Sequence, residues 1–385
     1  MVGFEFATTH RVLVEAGAAK RLPELCQQLG GSRVMLVTDP GIRSTPLLRP
    51  VEDSFRTANL PLVIFDQVSA DPADSVVLNA AEQARDAGAD LVIGFGGGSS
   101  MDVAKLVALL SHPKSSQQLS DIYGVGLATG PRLPLLQVPT TAGTGSEVTP
   151  VAIVTTGATT KAGVVAPSLL PDLAVLDAEL TLGLPPQVTA ATGVDAMVHA
   201  IEAYTSAHKK NPYSDMLSRE ALRLLGGNLA TAVKEGSNLA AREACLLGAM
   251  MAGQAFANAP VAAVHALAYP LGGHFHIPHG LSNSLVLPEV LRFNLPKAAP
   301  LYAQLAPIIS DRPFADHEDG AGVLIAALES LINEVGLPTK LREVGVSEDS
   351  LDVLASDAML QQRLLVNNPR EVTEADALNI YKAVY

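Results

Sequence analysis

A chain of 385 residues is too long for one ordinary hydrophobic core, so two domains are expected. It is 48% hydrophobic and 17% charged, and its net charge of -13 would repel the phosphates of nucleic acids. No uninterrupted apolar run approaches the roughly 20 residues that span a bilayer, and the N-terminus lacks a signal-peptide pattern. We therefore expect a cytoplasmic protein that binds neither membranes nor nucleic acids.

The first half of the chain alternates short apolar runs with stretches of helical periodicity. Helices are predicted over 18–30 and 73–88, and strands over 11–17, 33–39, 60–66, 90–100, 133–140, 151–156 and 173–177. Continuous apolar strands between helices are typical of a parallel sheet covered on both faces. The sequence therefore predicts an α/β domain of a nucleotide-binding type over residues 1–184.

Strand patterns stop in the second half, and helical periodicity continues almost without break. Pro185 and Pro186 end regular structure and stiffen the chain, so they mark the predicted domain boundary. Helices are predicted over 214–234, 239–257, 261–271, 321–334 and 373–384. The sequence therefore predicts an all-helical domain over residues 185–385.

Five of the nine histidines lie in two short segments of this second half. In GVDAMVHAIEAY, Asp195 precedes His199 by four residues, so the two side chains share one face of a helix. Such a pair alone is more often a buried histidine beside a carboxylate. The segment HALAYPLGGHFHIPHG reverses that balance, because it adds His265, His274, His276 and His279. Three imidazoles and one carboxylate suit Fe(II) or Zn(II) better than Mg(II) or Ca(II).

A glycine-rich turn, GFGGGSSMD, lies between an apolar strand and a helix. Gly96, Gly97 and Gly98 let the backbone approach a ligand closely, and Ser99 and Ser100 offer donors at a helix N-terminus. This pattern suits a pyrophosphate, although a tight strand-to-helix connection explains it about as well. The loop PTTAGTGSEVT adds small polar donors and favours a dinucleotide over a lone phosphate. A P-loop is not predicted, because no Gly-Lys-Ser/Thr sequence is present.

Asp39 ends its predicted strand at the carboxyl edge of the sheet, where ligands of open α/β sheets bind. A carboxylate there accepts hydrogen bonds from both ribose hydroxyls and repels a 2′-phosphate, which favours NAD over NADP. The alternative is that Asp39 only caps the turn at Pro40 and Gly41. Lys161 is one of few lysines near these loops, and a solvated charge is its alternative interpretation.

These blocks, together with the C-terminal NPREVTEADALNIYKA, resemble the iron-dependent (group III) alcohol dehydrogenases, relatives of glycerol dehydrogenase and dehydroquinate synthase. The resemblance covers nearly the whole chain. It implies an N-terminal α/β dinucleotide-binding domain, an all-α C-terminal domain and a cofactor in the cleft between them. The divalent metal ligands that it implies are Asp195, His199, His265 and His279. The cofactor site that it implies comprises Gly97, Gly98, Ser99, Asp102, Thr140, Thr141 and Thr144, with Asp39, Lys161 and Leu180 nearby.

Two positions depart from the pattern of this family. Asp71 stands where many members carry an asparagine at the ribose, and Tyr269 stands where many carry a histidine assigned to proton transfer or substrate contact. A phenol with an unperturbed pKa near 10 is a poorer base than imidazole at neutral pH. Tyr269 is nevertheless the candidate proton relay. His274 is a candidate for facing the substrate, with a structural histidine as the alternative.

The sequence thus predicts a metal-dependent, NAD-linked dehydrogenase that interconverts a primary alcohol or hydroxy acid and its aldehyde by hydride transfer. A positively charged metal site would stabilise the alkoxide. A synthase of the dehydroquinate synthase type is the first alternative, but it would need several Lys and Arg beside the metal ligands, and residues 193–283 place almost none there. A non-catalytic scaffold is the second alternative. Composition and resemblance also predict a homo-oligomer, a dimer or larger.

Overall fold

The computed structural model describes residues 3–157 and 160–385. This part of the chain divides into two compact units. The first, here called the sheet unit, comprises Ala7–Thr141 and Gly145–Thr181. The second, here called the helical unit, comprises Leu182–Tyr385 together with Ala142–Thr144 and the residues that precede Ala7. Ala142–Thr144 lie in the loop PTTAGTGSEVT, here called the threonine-rich loop, so the tip of this loop belongs to the helical unit.

The strands of the sheet unit are β1 Arg11–Val14, β2 Val34–Val37, β3 Leu62–Phe65, β4 Leu91–Gly96, β5 Gly124–Val125, β6 Leu135–Pro139, β7 Val151–Thr156, β8 Thr160–Val165 and β9 Leu173–Leu176. Six of them form a parallel sheet with the strand order β1-β9-β6-β4-β2-β3. A smaller, second sheet has the order β5-β8-β7, with β7 and β8 antiparallel. The strand predicted over 151–156 is present, but in the second sheet.

The burial pattern of the central strands explains the parallel sheet. Every residue of β2, β4, β6 and β9 is buried. Along β2, Met35 and Val37 pack into the core on one face, whereas Val34 and Leu36 pack into the core on the other. A strand with apolar neighbours on both faces needs a continuous apolar run, which is what the sequence shows. The predicted α/β class is confirmed.

Five helices cover this sheet: α1 Leu22–Gln28, α2 Pro40–Ser44, α3 Arg49–Thr57, α4 Asp74–Asp86 and α5 Gly98–Leu110. The sequence analysis did not predict α2 or α3. Helix α3 is short and mostly polar, and it buries only Val51 and Phe55, which lie four residues apart on one face. So weak an apolar pattern gives little signal in the sequence.

The helical unit contains the remaining helices: α6 Pro186–Thr205, α7 Pro212–Lys234, α8 Leu239–Asn258, α9 Ala263–Phe275, α10 His279–Ile309, α11 His317–Glu334, α12 Leu351–Ala358, α13 Gln362–Leu365 and α14 Glu374–Ala383. The mostly helical class of this half is also confirmed. No single helix in the described ranges has the length and apolarity to cross a membrane. Only α8 and α9 taken together meet those criteria, and a bend of 106° separates them.

Helix α10 is the main element that the sequence analysis missed. It spans 31 residues and contains four internal prolines, Pro288, Pro296, Pro300 and Pro307. Proline removes a backbone donor and normally ends a helix, so the pattern argued against a continuous one. The helix persists because a long series of its residues is buried within the unit, which supplies stability that the local sequence lacks.

Candidate metal centre

Four side chains from three helices converge in the helical unit. Asp195 and His199 lie one turn apart on α6, His265 lies on α9, and His279 begins α10. Their ligand atoms all lie within 4.8 Å of one another. Asp195 Oδ1 is 4.0 Å from His199 Nε2, 3.9 Å from His265 Nε2 and 3.7 Å from His279 Nε2. Atoms that bind one cation at about 2.1 Å each lie at most about 4.2 Å apart, so these three separations fit a shared metal ion.

One glycine and the turn between α9 and α10 bring these helices together. A Cβ at Gly280 would lie 2.3 Å from the Ala191 carbonyl oxygen, so only glycine lets the start of α10 approach α6 this closely. His276 ends α9 in the left-handed region at φ 54°, and Pro278 precedes the first residue of α10. His276 thus forms the break between two helices, and the cluster of possible ligands does not include it.

Burial and mutual contact favour the protonation states that a metal needs. Burial lowers the pKa of His199 to about 3, so this imidazole is neutral at pH 7. Burial alone would raise the pKa of Asp195, but its contacts with His199, His279 and His265 and a hydrogen bond from Asn283 hold the pKa below the ordinary value. An ionised carboxylate beside a neutral imidazole is the form that binds a divalent cation.

Glu202, which the sequence analysis did not single out, contacts His265, one of the four candidate ligands. Its Oε2 lies 2.6 Å from His265 Nδ1, and its Oε1 accepts a hydrogen bond of 2.7 Å from the Val264 backbone N–H. The signal was present, because Glu202 follows Asp195 by seven residues and His199 by three and so shares their helix face.

Asn283 is the second residue that the sequence analysis missed. It lies one turn after His279 on α10 and is fully buried. Its Nδ2 donates a hydrogen bond of 2.6 Å to Asp195 Oδ1 and lies 3.3 Å from both His265 Nε2 and His279 Nε2. The amide therefore holds the Asp195 carboxylate facing the three imidazoles.

The structure separates the two candidate catalytic residues. Tyr269 lies one turn after His265 on α9, and its ring centroid is 5.9 Å from that of His279. The phenol is therefore next to the ligand cluster. His274 follows His265 by nine residues, which places it on the opposite face of α9. Its Nε2 lies 2.6 Å from Asp357 Oδ2 on α12, so the structure supports the structural interpretation of His274 over the substrate-facing one.

The glycine-rich turn of the sheet unit has the form of an anion cradle. Gly96 adopts φ 152°, and a Cβ there would lie 2.7 Å from Ser100 Oγ, so this position requires glycine. Gly97 precedes α5 with an ordinary φ of -79°. A Cβ at Gly97 would come no closer than 3.8 Å to Thr141, so protein packing does not explain this glycine. Open space in front of a helix N-terminus suits a phosphate group. Gly98 and Ser99 form the first turn of that helix.

Thr140 and Asp39 both border this turn. The Thr140 backbone N–H donates a hydrogen bond of 2.9 Å to the Gly96 carbonyl oxygen. Asp39 Oδ1 accepts a hydrogen bond of 2.9 Å from the Ile42 N–H and so caps α2, while Oδ2 accepts one of 3.4 Å from Ser100 Oγ. Asp39 therefore caps α2, and the same carboxylate also reaches the glycine-rich turn, so its role at the ribose stays a prediction.

The other predicted cofactor residues have varied surroundings. Lys161 Nζ pairs with Asp71 Oδ1 at 2.7 Å, and its side chain is only 14% exposed, so Lys161 is not a solvated charge. Leu180 is 6% exposed and packs in a hydrophobic core of the sheet unit. Thr144 belongs to the helical unit. Asp102 accepts hydrogen bonds of 2.6 Å from Ser146 Oγ and 2.9 Å from the Ile153 N–H, so protein donors occupy both of its oxygens.

Lys105 is a further residue that sequence reasoning missed, although a lone lysine in the apolar run VAKLVALL was a signal. It is fully buried on α5. Its Nζ donates hydrogen bonds of 2.7 Å to Ser146 Oγ, 3.1 Å to Thr149 Oγ1 and 2.6 Å to the Val151 carbonyl oxygen. Burial lowers its pKa to about 8, against the opposing effect of Asp102 and Glu147. The hydrogen bonds of Lys105 therefore connect the segment that carries Ser146, Thr149 and Val151 to α5, the helix that begins at the glycine-rich turn.

Comparison with known proteins matches both halves of the chain. Residues 9–178 match the family model described as iron-containing alcohol dehydrogenase, and residues 189–385 match the model described as Fe-containing alcohol dehydrogenase family, C-terminal. Long-chain-alcohol dehydrogenase 1 of Geobacillus thermodenitrificans is 38% identical over 96% of this chain and 93% of that protein. Sulfoacetaldehyde reductase of Bilophila wadsworthia is 34% identical over 99% of both. The crystal structure of a 1,3-propanediol oxidoreductase superimposes over 100% of both chains with 34% identity and a TM-score of 0.95.

Proposed function

We propose a mechanism from the premise that this chain belongs to the iron-containing alcohol dehydrogenase family. The protein is an enzyme of that type and interconverts alcohols and aldehydes. The proposal is that the substrate is a primary alcohol or a hydroxy acid bearing one, that NAD accepts the hydride, and that Fe(II), or alternatively Zn(II), is the metal. The observation that carries the proposal is the convergence of Asp195 with the three imidazoles on one point.

The side chains of the helical unit would hold the metal and prepare the alcohol. Asp195, His199, His265 and His279 are the four ligands. A divalent cation held by these residues would supply Lewis acidity toward the oxygen of an alcohol. Asn283 and Glu202 hold Asp195 and His265 in place by hydrogen bonds. Burial of Asp195, His199 and His265 excludes water from one side of the site.

The loops of the sheet unit would bind the cofactor. The backbone N–H groups at the start of α5 and the hydroxyl of Ser99 suit the pyrophosphate, because a helix N-terminus carries partial positive charge. NAD supplies the hydride acceptor. Asp39 beside the glycine-rich turn supports a preference for NAD, since its carboxylate would accept from ribose hydroxyls and repel a 2′-phosphate.

A metal-depletion experiment tests the proposed function. Purified protein is treated with a chelator, and NADH formation is followed with a panel of primary alcohols, including long-chain alcohols and 1,3-propanediol, which are the substrates in the names of its relatives. We expect activity to disappear with chelator and to return with Fe(II) or Zn(II). Full activity of chelator-treated protein that contains no metal would contradict the proposal.

Replacing Asp39 with Gly is expected to raise the use of NADP relative to NAD by about 10-fold or more, because a carboxylate that repels the 2′-phosphate is removed. The ratio of kcat/KM for the two cofactors measures this. The variant also loses the cap of α2, so Asp39→Asn serves as the control that keeps the cap and removes only the charge. An unchanged ratio of kcat/KM for NADP and NAD in both variants would show that Asp39 does not contact the ribose.

Replacing Tyr269 with Phe is expected to lower kcat by about 10- to 100-fold if the phenol relays protons, since general acid–base groups contribute about 100-fold or more. The pH dependence of kcat should change with it, while metal content stays the same. Wild-type kinetics over the whole pH range would show that Tyr269 only packs beside His279.

Homo-oligomer formation also remains a proposal. Tyr213 and Met216 on α7 are 55% and 58% exposed, and side chains of this size are often covered in an assembly, which supports the idea. Light scattering on the purified protein would give the number of subunits.

A further inference from the structure

Glu202 has both carboxylate oxygens committed to the first turn of α9. One oxygen accepts from the Val264 backbone N–H at 2.7 Å, and the other lies 2.6 Å from His265 Nδ1. Glu202 and His265 are 4% and 2% exposed, so water does not compete for these contacts. A carboxylate accepts hydrogen bonds and cannot donate them, so His265 must carry its proton on Nδ1.

The opposite nitrogen of His265 is then free of a proton. This assignment agrees with its other neighbour, because the Asn283 amide nitrogen lies 3.3 Å from His265 Nε2 and can donate only to a bare nitrogen. The lone pair of Nε2 therefore faces Asp195 and the other ligands. Glu202 fixes the tautomer of the ring and its orientation together.

We propose that Glu202 is a positioning residue of the metal centre, which holds His265 with Nε2 directed at the metal. This inference rests on the proposed metal site. Partners that orient a ligating histidine typically change metal affinity by about 10- to 100-fold.

The test is a titration of metal-free protein with Co(II), followed by visible absorption, with a competing chelator to give the Kd. Glu202→Gln keeps the shape of the side chain, but its amide cannot accept from both Val264 and His265. We expect the Kd for Co(II) to rise by about 10- to 100-fold. Nitrogen-15 NMR of histidine-labelled, metal-free protein should show a proton on Nδ1 of His265 in the wild type and a mixture of tautomers in the variant.

Tyr204→Phe is the matched control, because Tyr204 lies two residues away on α6 and its hydroxyl donates a partly buried hydrogen bond of 2.6 Å to Gln304 Oε1. This variant should bind Co(II) like the wild type. Wild-type affinity and tautomer in folded Glu202→Gln would overturn the inference. If Glu202→Gln does not fold, the Kd of Glu202→Asp for Co(II) is the test, since this side chain keeps the charge but is too short to contact both Val264 and His265. A wild-type Kd for Co(II) in Glu202→Asp would also overturn the inference. A wild-type protein that binds no Co(II) or Zn(II) would instead refute the metal site itself.

Discussion

Replacing His265 with Ala is expected to abolish turnover while NAD binding stays largely intact. His265 is one of four converging ligands, and three neighbours, Asp195, Glu202 and Asn283, contact its ring or face its Nε2. Its loss opens the ligand set and leaves the Glu202 carboxylate buried without its imidazole partner. A bound cation can lower the pKa of water from 15.7 to about 7, so losing the metal should reduce kcat by at least about 1,000-fold.

His274→Ala is the matched control for this experiment. His274 lies on the same helix, but it pairs with Asp357 outside the ligand cluster. We expect this variant to keep its metal content and most of its turnover. Metal content by mass spectrometry, kcat and the Kd for NAD should be measured on both proteins. If His265→Ala lost NAD binding as completely as turnover, the residue would be structural and not a metal ligand.

The main sheet and the pair of Asp195 and His199 could be anticipated because each has a local signature. Continuous apolar runs predicted the parallel strands, and the four-residue spacing of Asp195 and His199 predicted a shared helix face. His265 and His279 could be assigned as ligands only through the resemblance, since their segment holds four histidines and periodicity alone does not choose among them. The structure explains the choice, because His274 lies on the far face of α9 and His276 breaks the helix.

The supporting residues could not be anticipated in the same way. Glu202 and His265 are separated by 63 residues, and their contact depends on how α6 packs against α9. Asn283 lies on α10, whose prolines hid the helix itself. Lys105 stands out in its apolar run, but the sequence does not show that Ser146, Thr149 and Val151 are its partners. Each is a single polar residue whose partner is defined only by packing, and periodicity carries no information about such a partner.

Replacing Lys105 with Met is expected to destabilise the sheet unit by about 3–5 kcal/mol, because removing one member of a buried ion pair leaves the other uncompensated. Lys105 is fully buried, and its Nζ lies 3.6 Å from Asp102 Oδ1. Burial already raises the pKa of Asp102, while Lys105, Ser146 and Ile153 counteract that effect. Without the ammonium, three acceptors and a carboxylate lose their common donor in a buried site. Urea denaturation gives the free energy of unfolding.

Two further variants decide whether the buried charge causes this loss. In the double variant Lys105→Met/Asp102→Asn, the uncompensated carboxylate is also removed, so part of the lost free energy of unfolding should return. Lys20→Met removes an exposed ion pair, in which the side chains of Lys20 and Glu179 are 61% and 44% exposed. This variant should change the free energy of unfolding by less than about 1 kcal/mol. Equal losses in Lys105→Met and the double variant would attribute the effect to the hydrogen bonds of Nζ alone.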